Sequence, residues 1–151
     1  MGSKRVGWAR IKSLINENGN QLYSKYVRTK TVTVDTTLTA DDSGSIIMMT
    51  GNGIDITLPA AVAGMKFTII QTENWSTTDN TVVAVAGDFM TGQVAGPDAV
   101  AANNGDGSDH ITCTFEEGTV AGDQITLVSD GTLWYVTGTA KVGGATGIVF
   151  T

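Results

Sequence analysis

With 151 residues, 41% hydrophobic and 16% charged, the chain has the make-up of one globular domain rather than a disordered tail. Its single cysteine, Cys113, excludes an intramolecular disulfide framework and a cysteine-rich zinc site. No apolar run approaches the roughly 20 residues needed to cross a bilayer, so no membrane partner is expected. The net charge of −6 hides two opposite parts: seven bases and one acid give residues 1–30 a charge of +6, whereas two bases and fourteen acids give residues 31–151 a charge of −12.

The opening Met1-Gly2-Ser3-Lys4-Arg5 is basic but has no apolar stretch behind it, so no secretory signal is expected, and the lone Cys113 thiol suits assembly in a reducing cytoplasm. Ser3 is placed to cap a short helix in which Trp8, Ile11 and Ile15 recur at helical spacing, with Leu14 beside them. Gly7 weakens that helix, and the run from Asn16 to Asn20, with Gly19 inside it, ends it. Arg5 and Lys12 lie off the apolar stripe. A helix this short is marginal alone and needs either its own body or a neighbouring subunit to pack against. An extended stretch follows, carrying Tyr23, Tyr26 and Arg28. The expected division is therefore a helix and anchoring arm over residues 1–28, and a β body over residues 29–151.

From Thr29 the period changes to two. Thr31-Val32-Thr33-Val34, Ile54-Asp55-Ile56-Thr57-Leu58, Ile111-Thr112-Cys113-Thr114-Phe115 and Ile125-Thr126-Leu127 alternate as half-buried strands do. The runs Ile46–Met49, Met65–Ile70, Thr81–Val85 and Leu133–Val136 are apolar more continuously and read as inner strands. Turn chemistry separates them at Asp41–Gly44, Gly51–Gly53, Gly105–Gly107 and Ser129–Gly131. About eight short strands joined by such turns predict a mainly β protein, an antiparallel sandwich or barrel. Asp88–Asp109, rich in Gly, Ala and Asn, reads as one long functional loop. Trp134 and Phe67 are expected to anchor the core, Pro59 to end a strand and Gly64 to permit a turn.

Little here reads as catalytic. His110 and Cys113 form an H-x-x-C pair, but two ligands do not close a metal site, and Cys113 is expected to point inward with Ile111 and Phe115. Asn104, Asp106 and Asp109 make an oxygen-rich loop without the bidentate Glu of a calcium loop, and read as a solvated turn. Neither a nucleophile elbow nor a phosphate loop occurs. The neighbours Asp41/Asp42 and Glu116/Glu117 are not both aimed at one substrate, as a glycosidase would require. No cofactor, metal or enzymatic activity is expected. Trp8, Tyr23 and Tyr26 are interleaved with basic residues, yet a −12 body repels a polyanion, so nucleic acid is not expected either.

Two groups of residues are familiar. Thr39-Ala40-Asp41-Asp42-Ser43-Gly44, Ile54 to Ala61 and Gly64 to Ile69, followed by Ala121 to Leu127 and Ser129 to Gly138, resemble a β module of bacteriophage virion proteins, found in capsid decoration (cement) proteins and in tail fibres or spikes. The opening Ser3 to Ile11 is similar to the start of small virion proteins of marine and cyanobacterial phages. The resemblance implies a non-catalytic homotrimer seated on the outer capsid surface, partnered by the major capsid protein and bridging neighbouring shell subunits. Lys4, Arg5, Trp8, Arg10, Ile11, Lys12, Ile15, Tyr23, Tyr26 and Arg28 are the expected capsid- or subunit-binding residues. The alternatives are a fibre or spike module that stacks a host glycan on an aromatic such as Trp75, and a head–tail joining protein. A chain so poor in charge also has much neutral Thr, Ala and Val surface to hide, and subunit contacts are one way to hide it.

Overall fold

The computed structural model describes residues 26–74, 77–97, 103–142 and 147–151. The helix expected in residues 1–28 falls almost wholly outside them. Twelve strands run through the described residues: β1 Thr29–Val32, β2 Thr36–Thr37, β3 Ile46–Met49, β4 Asp55–Thr57, β5 Lys66–Gln71, β6 Asn80–Val83, β7 Phe89–Ala95, β8 Asn104–Asp106, β9 Thr112–Phe115, β10 Gln124–Ser129, β11 Leu133–Thr139 and β12 Ile148–Phe150. One turn of 3-10 helix, Ala40–Asp42, lies between β2 and β3. The strands form a seven-stranded sheet in the order β1-β3-β5-β10-β11-β7-β8 and a five-stranded sheet in the order β12-β9-β6-β4-β2.

The protein is mainly β, as expected, but its two sheets are mixed rather than antiparallel throughout. β1, β3 and β5 run parallel to one another, as do β2, β4 and β6, and β11 runs parallel to β7. The cause lies in the turns. From β1 to β6 successive strands belong to alternate sheets, so each Gly- or Asp-containing turn carries the chain across to the other sheet instead of back beside its predecessor. Two crossings return the chain to the first sheet in its original direction. The result is a coil of parallel strands, closed by the antiparallel strands β9, β10 and β11.

Alternation then builds the core. On the five-stranded sheet Ile56, Val82, Cys113 and Phe150 lie side by side in register and all are buried. On the seven-stranded sheet Val32, Ile47, Met49, Phe67, Ile69, Ile125, Leu127, Trp134, Val136 and Met90 face inward. These side chains from both sheets form one hydrophobic cluster. Phe67 and Trp134 stand two strands apart with ring centroids 5.7 Å from each other and planes tilted by 44°, the contact expected between them. The Trp134 indole N–H has no hydrogen-bond partner among the described residues, so its apolar environment is complete.

Three expectations need correction. Val34 is 67% exposed, because β1 ends at Val32 and the alternation of the Thr-Val run does not continue as strand. Ile111 precedes β9 and is 38% exposed, so Cys113 and Phe115 enter the core without it. Most importantly, the supposed loop 88–109 contains β7 and β8. Gly92 made β7 look like a break, yet β7 requires it. Its φ is 145°, and a Cβ there would sit 1.8 Å from the carbonyl oxygen of Val136 on the neighbouring parallel strand. The glycine lets two backbones approach where any side chain would separate them.

A direct comparison checks this role. Gly87 also has positive φ but open space around its missing Cβ. Gly87→Ala should cost about 1–2 kcal/mol, from backbone conformation alone. Gly92→Ala should cost clearly more in urea denaturation, because β7 must also move off β11. Equal losses would contradict the close-approach account.

Candidate functional site

Of the ten residues expected to bind capsid or neighbouring subunits, only Tyr26 and Arg28 are described; Lys4, Arg5, Trp8, Arg10, Ile11, Lys12, Ile15 and Tyr23 lie outside. Tyr26 is 75% exposed. Arg28 is not a free cation waiting for a partner: its Nε donates to Ser45 Oγ at 2.7 Å and its Nη2 donates to the Asp41 carbonyl. Its own carbonyl accepts the Ile46 amide at 2.9 Å. Arg28 therefore ties the stretch leading into β1 to the β3 side of the seven-stranded sheet.

Lys30 strengthens the same junction. Its ammonium lies 3.0 Å from the Asp42 carboxylate, and Asp42 Oδ2 also accepts the Thr39 amide at 2.9 Å and the Thr39 hydroxyl at 3.1 Å. Burial alone would raise the Asp42 pKa. The Thr39 hydrogen bonds and Lys30 outweigh it and hold the carboxyl below its ordinary value.

The body's most distinctive surface is the outer face of the seven-stranded sheet. The strands β1, β3, β5, β10, β11 and β7 contain no Asp or Glu, although the β body as a whole carries fourteen acids. In one row across the sheet Thr29, Ile46, Thr68, Thr126, Thr137 and Gln93 stand in register, and in the next Thr31, Met48, Ile70, Gln124, Thr139 and Ala95 do. Thr68 and Thr126 share a hydroxyl hydrogen bond at 3.2 Å. A third row holds Lys66, Val128, Tyr135 and Thr91. Lys66 is the one charge on the outer side of these six strands. Tyr135 is 47% exposed and pinned, its hydroxyl donating to Asp130 Oδ2 at 3.0 Å. Asp130 in turn caps the β10–β11 turn by accepting the Thr132 and Leu133 amides, and these bonds lower its pKa. Six strands of this face carry no carboxylate, while Asp106 of β8 stands at its edge opposite Thr91.

A second cluster forms around His110. Cys113 turns into the core, as expected, where burial pushes its thiol pKa far up. The imidazole Nδ1 of His110 lies 2.9 Å from Asp109 Oδ1 and 3.2 Å from Asp106 Oδ1, with the Phe150 ring edge-on to it. Ligand atoms of Asp106, Asp109 and His110 are all within 4.8 Å of one another, a set that could hold a cation. Asn104, also considered for such a set, is instead a β8 strand residue registered against Gln93. Asp106 accepts the Ser108 amide and hydroxyl and the His110 ring, which together hold its carboxyl well below the usual range. Hydrogen bonding within the loop accounts for all of this geometry, and Asp106 and Asp109 are both exposed.

The two acidic pairs are divided by their surroundings. Asp42 is half-buried against Lys30 while Asp41 is exposed. Glu116 is half-buried, and burial followed by the nearby Asp79 and Glu117 raises its pKa; Glu117 is exposed and its amide donates to Asp79. Trp75, the aromatic first considered for glycan stacking, lies outside the described residues. Among the described residues no helix is long and apolar enough to cross a membrane. Comparison of the chain with protein-family models, with curated proteins and with solved structures finds no match.

The Asp42 cluster makes a pH-dependent contribution with a definite sign. A carboxyl whose pKa is lowered in the folded state stabilises the fold above its ordinary pKa of 3.8, and that contribution fades as pH falls through the folded value. Asp42→Asn should therefore cost about 0.5–2 kcal/mol at neutral pH, the range for losing such a capping carboxylate. The gap between variant and parent should narrow in urea titrations as pH falls below 3.8 and through the lowered folded-state value. A gap independent of pH would mean that shape, not charge, holds this junction.

Proposed function

We propose that the chain is a structural, non-catalytic protein of a bacteriophage particle, a decoration (cement) protein that binds the outer capsid surface as a homotrimer and holds neighbouring shell subunits together. The β body acts as a rigid block, its two sheets packed as a sandwich. Residues 1–28, with a short helix, act as the tether that grips the major capsid protein.

Polarity is the observation that carries this reading: a segment of charge +6 is joined to a body of charge −12, and the junction is braced by Arg28 and Lys30. A basic tether of this kind complements an acidic shell surface, whereas the body would repel nucleic acid. The outer faces of β10, β11 and β7, which carry no carboxylate, support the trimer, since such a surface on an otherwise acidic protein is suited to contact between like-charged copies. The virion resemblance of residues 3–11, 39–44, 54–61, 64–69, 121–127 and 129–138 gives the same direction.

One observation favours a second reading, a fibre or spike module for a host glycan. Tyr135 presents its ring on a Thr-rich face with its hydroxyl fixed by Asp130, a platform on which a sugar face could stack.

Charge reversal separates the two. In the full-length chain Lys4→Glu, Arg5→Glu and Lys12→Glu together should lower co-sedimentation with undecorated capsids at least ~10-fold, equivalent to about 1.4 kcal/mol, with an unchanged circular dichroism spectrum. Tyr135→Ala should leave capsid binding as it was. Full decoration by the charge-reversed chain would overturn the tether, and loss of glycan binding in Tyr135→Ala would establish the second reading.

A further inference from the structure

We infer that the apolar stripe Trp8, Ile11 and Ile15 packs on the outer face of β3 and β5 of its own body, over Ile46, Met48 and Ile70, and so presents Arg5, Arg10 and Lys12 outward. This rests on residues 1–28 being the tether and specifies how the tether is seated.

β3 is the first reason. It reads Ile46-Ile47-Met48-Met49, apolar on both faces, which is the pattern of a strand covered on both sides. Ile47 and Met49 meet the core, while Ile46 and Met48 point the other way, beside Ile70 of β5, onto the face that no described element covers.

Position is the second. The described chain begins at Tyr26 and Val27, both exposed, and a hollow of about 260 Å³ lined by Val27, Gly44, Ser45, Ile46, Lys66 and Thr68 opens beside them. Twenty-five residues precede Tyr26. The stretch between Ile15 and Val27 can span up to about 40 Å when extended, at 3.3–3.6 Å per residue. The distance from β1 to β5 is only about 10 Å, two strand spacings. A helix is about 10–12 Å across with its side chains, so one helix covers those strands. A short connection of this kind also gives the chain's own stripe a high effective concentration over a neighbour's.

Charge sets the orientation. The covered strands offer no carboxylate to a base, and Lys66 at the rim repels one. The basic residues off the stripe are therefore turned away from the sheet, toward whatever the protein binds. A helix too short to persist alone gains the apolar partner it needs.

Methyl-labelled NMR of the full-length protein tests this without any capsid. Cross-peaks should connect the Trp8 indole to methyls of Ile46, Met48 or Ile70. Trp8→Asp with Ile11→Asp should erase them and shift those methyls while leaving Ile69 and Ile125, on the core side, in place. A sample mixing labelled and unlabelled chains should show no such cross-peaks between molecules. Absence of the contacts in the unaltered chain, or their appearance only between chains, would overturn the inference. The Lys4, Arg5 and Lys12 charge reversals should keep these cross-peaks even where they abolish capsid binding, so failure of the seating and failure of the capsid reading are told apart.

Discussion

Everything in this fold depends on keeping the strands of two sheets in one phase, and the contact between Trp134 and Phe67 shows what that phase achieves. Each lies on a strand whose alternate residues face the other sheet, and each is fully buried. A slip of one residue in β5 or β11 would turn one of the rings to the outside and bring Lys66 or Tyr135 inward. The same shift would take Thr68 or Thr137 off the outer face. The neutral exterior and the aromatic interior are thus two consequences of one register. The indole N–H without a partner accepts some desolvation cost so that the largest side chain of the core can sit at its centre.

Strand positions were legible in the sequence where alternation was strong, and the neighbours of each strand were not. The cores of β3, β4, β5, β9, β10 and β11 coincide with the apolar or alternating runs because burial on one face writes itself directly into the pattern. Parallel pairing leaves no such mark. A Gly–Asp turn that crosses to the opposite sheet has the same chemistry as one that closes a hairpin, so the coil of β1 to β6 was read as hairpins. β7 was missed for a different reason. Its central Gly92 serves a backbone contact, and composition cannot distinguish that from a flexible loop.

The site residues divide in the same way. The excess of bases in residues 1–30 is visible by counting, but only folding shows that Arg28 and Lys30 spend their charge on Ser45, the Asp41 carbonyl and Asp42. His110 paired by sequence with Cys113, three residues on, and folded toward Asp106 and Asp109, because the start of β9 sends one side chain into the core and leaves the other at the loop. The neutral outer face was foreshadowed only by the scarcity of charge. Its location needs the register, which brings Thr, Ile and Gln from six carboxylate-free strands to one side.

These features fit a protein whose work is to hold a shape and a contact. The body is stiffened by a continuous core, its rim is acidic, its broad face is neutral, and its cationic segment enters at the edge of that face. The most direct test of a cement role is the copy number of the chain in purified particles, measured by quantitative mass spectrometry against the major capsid protein. A number of the same order as the shell protein is expected. Absence from the particle, or the few copies typical of a fibre, would contradict it.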